Sequence, residues 1–346
     1  MNPPTTNLAA LERATEARDA MAIAMERLWP AIGIERDTPQ GRAVESALLD
    51  PARSMLDRAG KRFRGHLVEL CWQLAGGEGR CPDALPAVIE VIHAGSLIID
   101  DIEDDSCERR GAPTVHRLFG TPLALNAGNW MYFQALDFVR ELDLEPRIEL
   151  ELHRRLGRML VQGHSGQALD IDADIARLPQ PSVAEHVAHL SRLKTGSFVG
   201  LAAAVGAVAA DAPRRVIDGV EAFGLALGGG LQMLDDLGNL VGRRQGAKRY
   251  EDLRAGRANW IWAWFAEVAS PTEWRDAMTH LIGVRTGTLE AEGLAVELLE
   301  RVGLHGRQRV NRLLASAFDE LRATTGPHPL LAAFRSEIER LENSYV

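Results

Sequence analysis

Cysteine is scarce in this chain: Cys71, Cys81 and Cys107 are three residues in 346. An odd number at such wide spacing gives neither a disulfide framework nor a CxxC metal knuckle, so a reducing, cytoplasmic setting is expected. Long apolar runs are lacking too. The longest, residues 198–210, is too short to cross a bilayer and is interrupted by Gly200 and Gly206. The opening Met1-Asn2-Pro3-Pro4-Thr5-Thr6-Asn7 has no basic start leading into an apolar stretch, so no signal peptide is expected. Positive charge is outweighed: the formal net charge of −9 argues against nucleic acid as a bulk partner. Strand patterning is nearly missing, since no stretch alternates β-branched and aromatic residues between hairpin turns.

What is present is helix. With 46% hydrophobic and 25% charged residues the composition is that of a globular protein with a sizeable core. Apolar residues recur at i, i+3 and i+4 over 8–32, 44–59, 64–74, 86–105, 122–142, 146–172, 182–210 and 213–240. The same recurrence marks 259–268, 271–290, 295–303 and 305–325, with a short tail helix from Pro329. Gly- and Pro-containing breaks separate them, and no low-complexity linker divides the chain. The expected architecture is all-α: one domain over residues 1–346, a bundle of roughly a dozen helices around a deep apolar cavity.

Five carboxylates crowd the end of one apolar helix, Asp100-Asp101-Ile102-Glu103-Asp104-Asp105. On a helix Asp100 and Asp104 share a face, as do Asp101 and Asp105, and like charges so placed repel by roughly 0.2–0.5 kcal/mol per pair. Acid at the negative end of the helix dipole is unfavourable as well. A cation that relieves this burden is therefore expected, and Mg²⁺, held by carboxylates and substrate phosphates, suits oxygen donors. A second apolar helix ends likewise in Asp235-Asp236, with Asn239 one turn beyond Asp235. Alone, such a pair is more often a solvated helix end. Two of them, facing one another across a cavity, would share divalent ions. Basic residues recur nearby in sequence: Lys61 and Arg64, Arg109-Arg110, Lys194 and Lys248-Arg249. Arg suits bidentate phosphate contact and Lys acts as a point charge. The combination fits an apolar diphosphate bound through Mg²⁺.

The ordered set Gly60-Lys61-Arg62-Phe63-Arg64, His93, Asp100-Asp101-Ile102-Glu103-Asp104, Arg109-Arg110-Gly111-Ala112-Pro113-Thr114, Gly166-Gln167, Lys194-Thr195, Gln232 with Asp235-Asp236, and Lys248 resembles the trans-isoprenyl diphosphate synthases. This is the polyprenyl synthetase family, here of geranylgeranyl diphosphate synthase-like pattern, and the motif-bearing core spans about residues 55–260. The resemblance implies the isoprenoid synthase fold and a trans-prenyltransferase that condenses isopentenyl diphosphate with an allylic diphosphate after Mg²⁺-assisted ionisation. It implies three Mg²⁺ ions held by Asp100, Asp101, Asp104 and Asp235, with Asp236 and Asn239 in the second group. Arg109, Lys194 and Lys248 would bind the allylic diphosphate, and Lys61, Arg64, His93 and Arg110 isopentenyl diphosphate. Thr195, Gln232, Gln167 and Asp170 would face the reacting carbons or support the groups that do. A homodimer is implied by the same resemblance.

Two residues depart from the family pattern: Asn239 stands where a third Asp is usual, and Asn129 where an Asp often follows the Gly of the next helix. Both lower the local negative charge and leave room for a non-catalytic regulatory subunit. A class I terpene cyclase is the other alternative, but its Asn-Asp, Ser and Glu metal triad is not found. Product length is a question of volume. Ser96 and Gly95, four and five positions before the first Asp, are both small, so a product of twenty carbons or longer is expected. Trp130, Tyr132 and Phe133 on the next helix would form a deeper floor.

Overall fold

A computed structural model describes residues 29, 33–58, 60, 62–241 and 249–345. The helix expected over 8–32 therefore lies, apart from Trp29, outside the described residues, as do Lys61 and Lys248. The described chain is helical from end to end: α1 Pro39–Val44, α2 Asp50–Leu56, α3 Phe63–Leu74, α4 Ala84–Glu103, α5 Val115–Phe119, α6 Thr121–Arg140, α7 Pro146–Asp172 and α8 Val183–Ser191. Then follow α9 Ser197–Ala209, α10 Arg214–Val241, α11 Glu251–Ala255, α12 Trp260–Val268, α13 Pro271–Arg285, α14 Ala291–Leu298, α15 Leu304–Thr325 and α16 Leu331–Tyr345. Among the described residues, strand is confined to the ribbon of β1 Glu108–Arg109 and β2 Ala112–Pro113. The all-α expectation stands. No helix among the described residues is long and apolar enough to cross a membrane.

The chain falls into two compact units: Met1–Arg154 with Val205–Asp211, and Arg155–Ala204 with Ala212–Val346. In the first, α4 packs between α3 and α6 and buries Leu85, Val88, Ile89, Val91, Ile92 and Ile98. These positions recur at the helical period, which gives α4 a wide apolar face and leaves its acidic end as the polar exception. In the second, α10 lies against α15, and α12 brings Trp262, Trp264 and Phe265 into the core. Trp274 of α13 meets Trp262 edge-on at 5.9 Å and stacks on Phe265 at 6.0 Å, which fixes this corner. The local ends follow rule. Asn259 caps α12 through Trp262 N–H, and Ser270 with Glu273 forms a capping box at α13.

Among the described residues π-helical turns occur at Glu45–Leu49, Arg192–Gly196 and Leu299–Gly303. The first two lie inside stretches that read as one helix, where an inserted residue leaves the apolar pattern on either side intact, and the third joins α14 to α15 where the pattern ends one helix at 303 and opens another at 305. The turn at Arg192–Gly196 is the one that carries Lys194 and Thr195.

Candidate active site

In the first unit the acidic helix end finds its cation within the chain. Arg109 Nη2 stands 2.6 Å from Asp101 Oδ1 and 3.2 Å from Asp100 Oδ2, and its Nε donates to Asp101 Oδ1 at 2.8 Å. The Asp101 side chain is 1% exposed, so this is a buried ion pair. Burial works against the charge on Arg109, but the hydrogen bond and charge of Asp101, with Asp100 and Asp104, outweigh it and hold the guanidinium above its usual pKa. Asp104 caps α4 and is exposed, and Asp105 turns the chain at φ +48°. The chain then enters the β1–β2 ribbon, whose two-residue turn is Arg110 (φ +55°) and Gly111 (φ +78°). Two positive φ values in succession make the inverted turn that suits ribbon twist. The pattern of the sequence marks this segment as a break bearing two arginines and gives no sign of a ribbon, because Arg is not a residue expected in that conformation.

Arg110 lies over Gly60, where a Cβ would come within 2.8 Å of its guanidinium carbon. Its charge is disfavoured by burial, supported by Glu90, and opposed by Arg109, Arg62 and Arg58. Glu90 escaped the sequence reading. Its Oε1 accepts from Gly65 N–H at 3.0 Å, tying α4 to the first turn of α3. Arg64 Nη1 lies 3.2 Å from His93 Nε2. Arginine can only donate, so Nε2 accepts and the ring is neutral with its proton on Nδ1. Burial, then the charges of Arg64, Arg110 and Arg109, push His93 well below the usual histidine range. Arg64, His93, Arg109 and Arg110 are thus brought into one electrostatic neighbourhood.

In the second unit Lys194 Nζ pairs with Asp170 Oδ2 of α7 at 2.5 Å. The π-helical turn sits close to α7 because residue 166 is glycine; a Cβ there would lie 2.5 Å from Lys194 N. Thr195 Oγ1 donates to Gln232 Oε1 at 2.8 Å, Gln232 Nε2 donates to Asp236 Oδ1 at 2.9 Å, and Trp260 N–H donates to Asp236 Oδ2 at 2.9 Å. Asp236, expected with Asn239 among the metal ligands, is thus engaged by two protein donors. Asp236 and Asn239 are both buried, three apart on the inward face of α10, and each Asp236 oxygen accepts from a protein donor. Burial first, then the charge of Asp252, raises the Asp236 carboxyl well above the usual range against the two hydrogen bonds. Asp235, one residue earlier, is half-buried.

The residues expected at the chain-length wall lie on α4 and α6. Phe133 is 69% exposed, because the inward positions of α6 are Ala127, Gly128, Met131, Gln134 and Ala135, and residue 133 is turned away from Met131 by two helical steps. Gly95 faces the α6 backbone. Ser96 donates to His93 C=O at 2.9 Å, and Trp130 is half-buried.

As a donor set the acidic ends fit a hard divalent cation: the groups are carboxylate oxygens, with no thiol among them. Among the described residues no three His, Cys, Asp or Glu side chains converge as a ready cage. At α4 the reason is visible, since Arg109 already draws Asp100 and Asp101 to itself. A metal here would be held jointly with a ligand's phosphates.

The polyprenyl synthetase family model matches residues 45–293, well over half the chain. The chain belongs to this family. A short chain isoprenyl diphosphate synthase of Methanocaldococcus jannaschii is 30% identical over 217 residues, 62% of this chain and 64% of the relative. A geranylgeranyl pyrophosphate synthase of Geoglobus acetivorans is 31% identical over 212 residues, 61% and 65% of the two chains. The matched stretch thus spans just under two thirds of the length of these relatives. Among solved structures, geranylgeranyl pyrophosphate synthase from Corynebacterium glutamicum, complexed with isoprenyl diphosphate and magnesium, superposes with a TM-score of 0.76 at 23% identity, covering 95% of this chain and 97% of that one. That likeness establishes the fold of this chain.

Proposed function

We propose that this member of the polyprenyl synthetase family is a trans-prenyltransferase, which extends an allylic diphosphate with isopentenyl diphosphate to an all-trans polyprenyl diphosphate of twenty carbons or more. The observation that carries the reading is the Arg109 guanidinium held between Asp100 and Asp101, with the Arg64–His93 pair and Arg110 in the same neighbourhood. That is a diphosphate-binding set beside an oxygen-donor set.

Asp100, Asp101, Asp104 and Asp235 would hold Mg²⁺, which when bound supplies charge stabilisation for a departing diphosphate. Arg109 and Lys194, with Lys248, would add fixed cations to the same leaving group, an electrostatic contribution that is large where water is excluded. Arg64, Arg110 and neutral His93, with Lys61, would hold isopentenyl diphosphate. Its alkene attacks the allylic cation at carbon, and the released diphosphate takes the proton lost from the adduct, so no side-chain base is assigned. Thr195 and Gln232 present oxygens that can face positive charge on carbon. A homodimer in a cytoplasmic setting, and three Mg²⁺ ions, complete the proposal.

The deciding assay combines purified protein, Mg²⁺, radiolabelled isopentenyl diphosphate and each allylic primer in turn. Chain-extended diphosphate supports the transferase. Hydrocarbon released from the allylic diphosphate alone would instead indicate a cyclase, and absence of turnover a regulatory subunit.

A further inference from the structure

The ribbon that carries Arg109 and Arg110 cannot hold itself. Each strand has two residues, far short of what makes a two-stranded ribbon stable in water. Its turn sets Arg110 at φ +55°, a conformation that costs a non-glycine residue about 1–3 kcal/mol. Something outside the ribbon must fix it, and Arg58 does so from the end of α2. Arg58 Nη1 donates to the carbonyl of Arg109 at 3.0 Å and Nη2 to the carbonyl of Pro113 at 2.8 Å, so one guanidinium spans both strands. The base of the same side chain is held as well. Nε donates to Ser54 C=O at 2.8 Å, and Nη2 also lies 3.4 Å from Ser54 Oγ. A planar fork anchored at its root and gripping two carbonyls at its tip is a rigid bracket. Thr114 closes the ribbon base, its hydroxyl donating to Ser106 C=O at 2.8 Å and its N–H to Cys107 C=O at 3.1 Å.

We propose that Arg58 is a positioning residue: through the ribbon backbone it sets where the guanidinium groups of Arg109 and Arg110 point. This rests on the reading of those two arginines as diphosphate ligands. Arg58 itself meets backbone carbonyls and takes no part in the chemistry. Its charge lies within reach of Asp101 and Arg109, since burial and Arg109 lower its pKa while Asp101 raises it. A purely electrostatic role is therefore the alternative to exclude.

Arg58→Ala and Arg58→Lys separate the two roles. Lysine keeps the charge and most of the stem but cannot span two carbonyls in one plane. The first readout is independent of turnover: native-state trypsin cleavage after Arg109 and Arg110, mapped by mass. Both variants should be cut there about tenfold faster than the natural protein, the change expected when a charge-assisted hydrogen bond is lost. The second readout is kinetic: KM for the allylic diphosphate should rise about tenfold in both variants, with kcat changing much less. Unchanged cleavage in the alanine variant overturns the proposal, and so does full rescue of both readouts by lysine. If the natural protein transfers no prenyl group, the functional reading falls, while the trypsin comparison still judges the bracket.

Discussion

Gly95 of α4 and Gly128 of α6 meet backbone to backbone. A Cβ on Gly95 would stand 2.8 Å from the Gly128 carbonyl oxygen and 3.0 Å from Met131 Cβ, and a Cβ on Gly128 would meet Ile99 Cδ1 at 2.8 Å. The small residue at 95 is therefore demanded by helix packing. Exchanging Gly95 for Ala gains roughly 0.5–1 kcal/mol of helix propensity and costs about 1–3 kcal/mol by overpacking, so the net effect is loss. Urea unfolding should show Gly95→Ala less stable than the natural protein. Gly95→Phe should fail to fold rather than shorten the product cleanly, and a stable, shorter-product Phe variant would show that α6 yields.

Arg109 offsets the buried charge of Asp101, whose side chain is 1% exposed. Removing the guanidinium takes an ion pair and a charge-assisted hydrogen bond from that buried carboxylate, a loss that for buried pairs reaches up to about 3–5 kcal/mol. Arg109→Ala should lower the urea midpoint accordingly. Added Mg²⁺ should restore more stability to the variant than it gives the natural protein, because the metal takes over neutralisation of Asp100 and Asp101. Equal stabilisation of both proteins by Mg²⁺ would count against a metal at this helix end.

The helices were legible because their apolar positions recur at the helical period, and α7 begins and ends at the residues the periodicity indicates, Pro146 and Asp172. The π-helical turn at Arg192–Gly196 was not, since one inserted residue rotates the pattern without breaking it. At the site the sequence names the charged residues but not their orientation. Asp235 and Asp236 look equivalent in a motif, and only packing of the inward face of α10 separates the half-buried one from the buried one. Arg58 carries no signal at all, because its partners are carbonyls 51 and 55 residues away, and every residue has a carbonyl.

His93 gives a pH dependence with a definite sign. Its folded-state pKa lies well below 6.5, by burial and then by Arg64, Arg110 and Arg109. Between that value and 6.5 the unfolded chain binds the proton and the folded chain does not. Stability must therefore fall as pH drops below about 6.5, by up to about 1.4 kcal/mol per pH unit, until the folded-state pKa is reached. Above that window His93 is neutral in both states and contributes no slope. His93→Gln, which keeps an acceptor for Arg64, should flatten the acid side of the stability profile. An unchanged slope just below pH 6.5 would sink this assignment.

Asp235 and Asp236 should separate cleanly on substitution. Asp236 receives Gln232 Nε2 and Trp260 N–H, and through Gln232 it fixes the amide whose oxygen accepts from Thr195. Asp236→Ala leaves two donors without their acceptor, at about 1–3 kcal/mol each if they stay buried, so a marked loss in thermal and urea stability is expected. Asp236→Asn should recover only part of it, because its amide group turns a donor toward one of two existing donors. Asp235 is half-buried and enters none of these bonds, so Asp235→Asn leaves the Thr195–Gln232–Asp236–Trp260 connection in place and should cost less stability than Asp236→Ala. Calorimetric titration with Mg²⁺ and inorganic diphosphate should show the reverse ranking, with affinity falling for Asp235→Asn and nearly retained in folded Asp236→Asn. Loss of Mg²⁺ binding in Asp236→Asn at unchanged stability would make Asp236 a ligand after all and remove its role as the brace of Gln232.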